Sequence, residues 1–373
     1  MAFRRDGSLV YPLAGPPVNP HPPPTDGPLT FEELQLATRN RGMPLEALRY
    51  DVTPVGMHYL LVHFDVPALD EHSWRLRFGG NVARPLELSL AELRARPRVT
   101  LPVTLECAGN GRARLQPRPL SQPWLVEAVG TAVWTGTPLA PLLAEAGVGG
   151  DTAEIVFVGA DHGMEKQVEH DYARSLSLAD ATRPEVMLAY EMNGRPLEPQ
   201  HGFPLRLLVP GWYGMAHVKW LARIEAVNTP FDGYQQTVAY WYKLRPEERG
   251  DPVQRIRPRA LMIPPGFPDF YTRRRTVERG PVEIAGRAWS GSAAIARVEV
   301  GVDGVWRDAA LGAQVGEFAW RKWTFAWDAT PGEHVLSCRA SDAAGQVQPT
   351  EAPWNLQGMG NNLAQRVEVT VRG

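Results

Sequence analysis

Apolar and polar positions alternate with a period of two over Trp74-Arg75-Leu76-Arg77-Phe78, which predicts a half-buried strand. Ser89-Leu90-Ala91-Glu92 then has the spacing of a capping box and opens a short helix that Pro97 stops. A near-continuous apolar run over Val99–Glu106 predicts a strand buried on both faces. The pattern continues with a helix over 138–146, a strand over 153–158 and a helix start at Ser177-Leu178-Ala179-Asp180. Asn193-Gly194 marks a tight turn, and 203–209 and 218–227 read as further strands. Helical and strand periods therefore interleave, the signature of a mixed α+β unit.

The pattern changes after Arg245-Pro246-Glu247-Glu248-Arg249, where charges and prolines crowd together. Beyond it the helical period is lost. Alternating runs recur at 282–289, 296–302, 320–327, 334–340 and 365–371, and about seven short strands in this stretch fit an immunoglobulin-like sandwich. The expected organisation is a proline-rich arm over 1–29, an α+β domain over 30–250 and an all-β sandwich over 251–373. Gly 35 and Pro 35 in 373 residues agree with a loop-rich chain of short strands rather than a helical bundle.

Charge narrows the function classes. Lys+Arg 39 against Asp+Glu 41 leaves a net charge of −2, so no global field favours nucleic acid or an anionic membrane, and an anionic ligand needs a local arginine cluster. The most apolar long uncharged stretch, 128–144, holds two prolines and three threonines, Pro138, Pro141, Thr131, Thr135 and Thr137, and is too short and too polar to span a bilayer. Arg4-Arg5 precede only Leu9-Val10-Tyr11 before Pro12, too little apolar chain for a secretion signal. A cytoplasmic protein is expected, or a periplasmic one if a leader has been trimmed. Two cysteines, Cys107 and Cys338, exclude a disulfide framework, a four-thiolate zinc site and iron–sulfur ligation, and no haem attachment motif is present.

The stretch richest in chemistry is Thr104-Leu105-Glu106-Cys107-Ala108-Gly109-Asn110-Gly111-Arg112. A strand delivers one thiol to its carboxyl end, and a glycine-rich turn follows, with Arg112 and Arg114 near enough to favour a thiolate. Two later loops gather His201, Arg206, His217 and Lys219, donors suited to a phosphate and a polar heterocycle. Singly, each has a bland reading: an inert buried thiol, or histidines bonded within the fold. His162, Glu165, Glu169 and His170 fit no zinc spacing and read as a solvated loop. Trp289, Trp306, Trp320, Trp323 and Trp327 read as core and interface packing.

Together, Cys107-Ala108-Gly109-Asn110, Tyr190-Glu191-Met192-Asn193-Gly194, His201-Gly202-Phe203-Pro204, His217-Val218-Lys219-Trp220-Leu221 and Pro353-Trp354-Asn355-Leu356 resemble, in order, the sulfite oxidase family of molybdopterin enzymes. The resemblance implies a molybdopterin domain followed by an immunoglobulin-like dimerisation domain. It implies a molybdenum cofactor whose metal takes Cys107 as its protein thiolate and two sulfurs from the pterin dithiolene, a donor set suited to a redox metal. By the same carry-over His201, Arg206 and Lys219 hold the pterin and its phosphate, with His217 and Asn40 beside them. Arg39, Arg112 and Arg366 become substrate-pocket arginines, and Trp124 lines the pocket. A strand-edge arginine is an equally good reading of Arg366. Tyr242 is the expected pocket tyrosine because Lys243 follows it, with Tyr240 left open.

Arg41 and Gly42 stand where the family has a histidine after Arg-Asn, Gly111 replaces an arginine, and the family's lysine after Leu115 is missing. The implied activity is oxidation of sulfite to sulfate, with electrons passed to an external acceptor such as a cytochrome, no haem in the chain and a homodimeric assembly. The same cofactor run reductively on nitrate or a sulfoxide is the competing enzyme reading. A cofactor-free interaction protein using the Trp-rich sandwich is the competing reading from another class.

Overall fold

The computed structural model describes residues 24–373, with the backbone of two short paired strands, Ala2–Phe3 and Leu9–Val10, ahead of them. Most of the proline-rich arm expected over 1–29 lies outside the described residues. The capping box expected at Ser89 is formed in full: Ser89 Oγ accepts from the Glu92 N–H and the Glu92 carboxylate takes the Ser89 N–H, opening the helix Leu90–Arg94. A second capping box, Thr30 with Glu33, opens a helix at Phe31–Arg39 that the hydrophobic pattern did not announce. Helices are few and short, and most of the regular secondary structure among the described residues is strand.

Two five-stranded sheets build the first half. In one, Val99–Glu106 pairs with Val129–Pro138, which pairs with Met187–Met192; Arg195–Pro196 and Arg206–Leu208 both attach to Met187–Met192. In the other the order is Leu86–Leu88, Leu76–Gly80, Leu221–Val227, Glu154–Glu165, Val168–Ser177, with Leu221–Val227 parallel to Leu76–Gly80. Helix Leu139–Ala146 buries Leu139, Leu142 and Leu143 in the core shared by these sheets, together with Phe157, Leu188, Leu221 and Ile224. The stretch containing His162 and His170 is an antiparallel hairpin rather than a loop, and His162 is exposed and held between Glu169 and Asp171.

The second half is a two-sheet sandwich. A four-stranded sheet (Arg259–Met262, Gly280–Trp289, Arg321–Ala329, Ala310–Leu311) faces a six-stranded one running from Phe267–Pro268 through Arg275–Glu278, Gln365–Arg372, Gly332–Asp342 and Ile295–Val302 to Val305–Asp308. Trp323 and Trp327 fill the space between them, and Cys338 is a buried thiol of the same core. Trp289 and Trp320 instead belong to a core shared by both halves, with Met43, Ala108, Tyr213 and Met359. Burial of apolar surface is therefore continuous across the junction, directly behind residue 107.

Candidate active site

Strand Val99–Glu106 ends in a turn that is fixed from every side. Asn110 donates to Glu106 Oε1 at 3.0 Å and to the Val126 carbonyl at 3.1 Å, while its own side-chain oxygen accepts from the Ala128 N–H. The Glu106 carboxylate is buried against Arg259 at 3.1 Å and accepts from the Trp289 indole at 2.8 Å, so two residues of the sandwich hold the turn from below. Gly111 has φ +93°, a left-handed conformation that a side chain resists, and a Cβ there would stand 2.8 Å from the Asn361 carbonyl. Gly109 lets the Arg112 guanidinium lie against the backbone, where a Cβ would meet it at 2.6 Å.

Cys107 is thereby presented as a buried thiol, 7% exposed. Burial pushes its pKa up; Arg112, the Gly109 N–H and the Trp124 side chain oppose that shift. Arg112 is itself buried and donates to the Gln357 carbonyl, the Gln122 carbonyl and the Met359 sulfur. A thiolate at 107 needs more positive charge than Arg112 provides, which is what a metal supplies.

Cys107 opens on a cavity whose wall holds His58, His63, His201, His217, Arg206 and Lys219. Arg206 donates to the carbonyls of His201 and His217 and stacks on Trp134 at 4.8 Å. Lys219 Nζ donates to the Leu61 and Gln200 carbonyls at 2.8 and 3.1 Å. His217 accepts the Val209 N–H at Nδ1, so its Nε2 carries the proton and donates to the Trp212 carbonyl. The ring is neutral.

Burial holds His58 and His63 down to about 4, His217 to about 3 and His201 to about 2. It also brings Lys219 down to about 7 and Arg206 to about 10, and raises Asp161 to about 7. His58 Nε2, His201 Nε2, Arg206 Nε and Asp161 Oδ1 are buried with no hydrogen-bond partner. His58 Nδ1 donates to the Tyr59 carbonyl, so its Nε2 is an acceptor on the neutral ring, and these orphaned polar atoms beside the two cations Arg206 and Lys219 describe a receptor for a polar, anionic group.

The comparisons with known proteins agree with this geometry. Residues 63–235 match the model of an oxidoreductase molybdopterin binding domain, and residues 271–372 that of a Mo-co oxidoreductase dimerisation domain. The mitochondrial sulfite oxidase of Mus musculus is 35% identical over 387 residues, covering 95% of this chain and 69% of that one. The chain belongs to the sulfite oxidase family of molybdopterin oxidoreductases. Family likeness extends to an NAD(P)H nitrate reductase of Hordeum vulgare, 32% identical over 355 residues, 86% of this chain and 39% of that one. The solved sulfane dehydrogenase SoxCD of Paracoccus pantotrophus superposes with a TM-score of 0.77 at 27% identity, covering 96% of both chains.

Within this family member, the structure brings Cys107, His201, Arg206, His217 and Lys219 to one cavity, with Trp124 and Arg112 packed behind Cys107. Four residues expected at the site lie elsewhere. Arg39 ends the helix Phe31–Arg39 and turns outward, donating to the Phe64 carbonyl and to Asp65 at 3.0 Å, with its side chain 43% exposed. Asn40 is buried, but as a tie: it donates to Gln122 and accepts the Val62 N–H. Arg366 sits exposed on strand Gln365–Arg372, in a separate cleft between the two halves with Arg114 and Arg273. Tyr242 stacks under Arg257, 4.3 Å from ring to guanidinium, outside the cavity.

Tyr240 takes the cavity position instead, its hydroxyl 2.9 Å from His63 Nε2. The sequence reading also missed His58, Tyr59, His63, Asp161 and Tyr172, all on the cavity wall. Their one available signal was polar or aromatic residues set inside apolar runs, as in His58-Tyr59-Leu60-Leu61-Val62-His63. The side chains present fit the molybdenum cofactor: a soft thiol beside unpartnered polar atoms and buried cations matches a metal dithiolene carrying a phosphate.

Proposed function

We propose that this protein oxidises a small sulfur oxyanion by oxygen-atom transfer, with sulfite as the reference substrate. The reading is carried by one juxtaposition: the buried Cys107 thiol, backed by Arg112, opening on a cavity of unpartnered polar atoms and the buried cations Arg206 and Lys219. In this reading Cys107 is the protein's sulfur ligand to molybdenum. Arg206, Lys219, His201 and His58 hold the pterin and its phosphate, and His217 shapes the wall that positions Arg206. Molybdenum bound there supplies two-electron oxygen-atom exchange.

The chain's own part is electrostatic and geometric. Arg112 attracts the anion from a buried position, where a charge-assisted hydrogen bond contributes about 1.5–3 kcal/mol, more than an exposed arginine would. Tyr240, bonded to His63, is placed to donate to an oxyanion beside Cys107 or to pass on a proton. The balance is sulfite and water going to sulfate, two protons and two electrons, and the electrons leave singly to an external acceptor such as a cytochrome. A homodimer in the cytoplasm, built through the 271–372 region, completes the proposal.

Elemental analysis of protein from a molybdopterin-competent host is expected to find about one molybdenum per chain, lost in Cys107→Ser. Metal-free protein from such a host instead supports an interaction module. Sulfite-driven reduction of a one-electron dye is the activity expected. Metal-loaded protein that reduces nitrate with a reduced dye, yet ignores sulfite, reverses the direction of the reaction, a reading that the barley nitrate reductase likeness keeps in play.

A further inference from the structure

Arg112, packed behind Cys107, also borders a second space whose lining residues are not those of the histidine cavity. Pro119, Leu120 and Met359 give it apolar walls, and Glu165 and Lys166 stand at the tip of the hairpin Glu154–Glu165/Val168–Ser177. Glu165 is half-buried, and Gln235 Nε2 holds its Oε2 at 2.8 Å.

Arg112 is unevenly committed toward this space. Its Nε and one terminal nitrogen donate to carbonyls at 2.9 and 3.0 Å, but the other faces only the Met359 thioether at 3.4 Å, a weak acceptor. Exchanging a thioether for an anionic oxygen is favourable at that one position. A compact dianion needs more. With Arg39 paired to Asp65 and Arg366 in another cleft, Arg112 is the guanidinium at this space, which suits a single negative charge against it, while Glu165 offers a carboxylate to a cationic tail.

The geometry points to an organic sulfinate with a cationic amino tail as a substrate: the sulfinate on Arg112, the carbon chain along Leu120 and Met359, the ammonium at Glu165. This rests on the oxygen-transfer reading above. A sulfinate is sulfite with one oxygen replaced by carbon, so it keeps the sulfur lone pair and carries a single charge. Its oxidation balances in the same way. One S–O bond forms with oxygen derived from water, sulfur gives up two electrons, two protons are released, and the product is the sulfonate. The electrons go to the same one-electron acceptor, ferricyanide in the assay.

The test compares sulfite, methanesulfinate and 2-aminoethanesulfinate on the metal-loaded enzyme. The expected kcat/KM for 2-aminoethanesulfinate is at least ~10-fold above that for methanesulfinate, and Glu165→Gln is expected to cut that ratio at least ~5-fold, with Glu165→Asp recovering part of it. Titration calorimetry with 2-aminoethanesulfonate, the product, reads binding without turnover and should show at least ~5-fold weaker association in Glu165→Gln. Oxidation of sulfite alone, or equal use of both sulfinates in wild type and Glu165→Gln, overturns the inference and leaves the oxygen-transfer reading standing. Turnover of none of the three by loaded enzyme removes that reading instead, and the calorimetric comparison then still decides whether Glu165 recognises the tail.

Discussion

His63 and Tyr240 lie 177 positions apart and meet at 2.9 Å, while Arg39, only two dozen positions before His63, turns away to Asp65. Two opposite outcomes follow. Tyr240→Phe is expected to lower turnover at least ~10-fold, whereas Tyr242→Phe and Arg39→Gln should leave steady-state constants within about 2-fold of wild type. Arg39→Gln should also cost at most ~1 kcal/mol by chemical denaturation, since its ion pair is exposed.

The buried imidazoles give a pH dependence whose sign is fixed. His58, His63, His201 and His217 titrate below their ordinary value of 6.5 in the folded chain, so only the unfolded chain takes up protons there as pH falls below 6.5. Their contribution is complete above pH 6.5 and is lost toward about 4. Asp161, raised to about 7, works the other way across the same interval, but it is one group against four. A thermal midpoint of cofactor-free protein that falls from pH 6.5 to 4.5, less steeply in His58→Gln, is expected; a flat profile contradicts neutral buried rings.

At the scale of elements, the turn after Val99–Glu106 is where local chemistry and tertiary packing agree. Its glycines announced a special backbone, and Gly111 has one. Gly111→Ala combines left-handed strain with a close approach to the Asn361 carbonyl and should cost about 1–3 kcal/mol by denaturant titration, with reduced molybdenum retention. A cost near zero would show that the turn relaxes. Capping signals were equally legible at Ser89 and Ser177, because a cap is settled within four residues. The helix Phe31–Arg39 carries the same signal, Thr30-Phe31-Glu32-Glu33, and was missed because Glu33 is its one buried residue, so no core-facing stripe follows the cap. That missed helix is also why Arg39 was misplaced: its last turn aims the side chain outward. The hairpin carrying His162 and His170 was hidden for a related reason, because its outer end is polar on both faces and shows no alternation.

Across the whole molecule, the sandwich reaches through the junction to grip the Cys107 turn. Arg259 and Glu106 are 2% and 1% exposed, so removing one charge strands the other. Arg259→Gln should cost about 3–5 kcal/mol and lower metal content, and Glu106→Gln with Arg259→Gln should recover part of that loss. A loss below ~1 kcal/mol would mean that solvent reaches the pair. Sequence alone determined the two-part architecture, the strand that delivers Cys107 and the two loops of His201, Arg206, His217 and Lys219, because each is written in residues close enough to interact as they fold. Only tertiary structure decided that Tyr240 rather than Tyr242 reaches the cavity, that Arg39 and Arg366 do not, and that Arg259 underpins residue 107. Those outcomes depend on which side chains long-range packing buries together, and burial sets both their orientation and their charge.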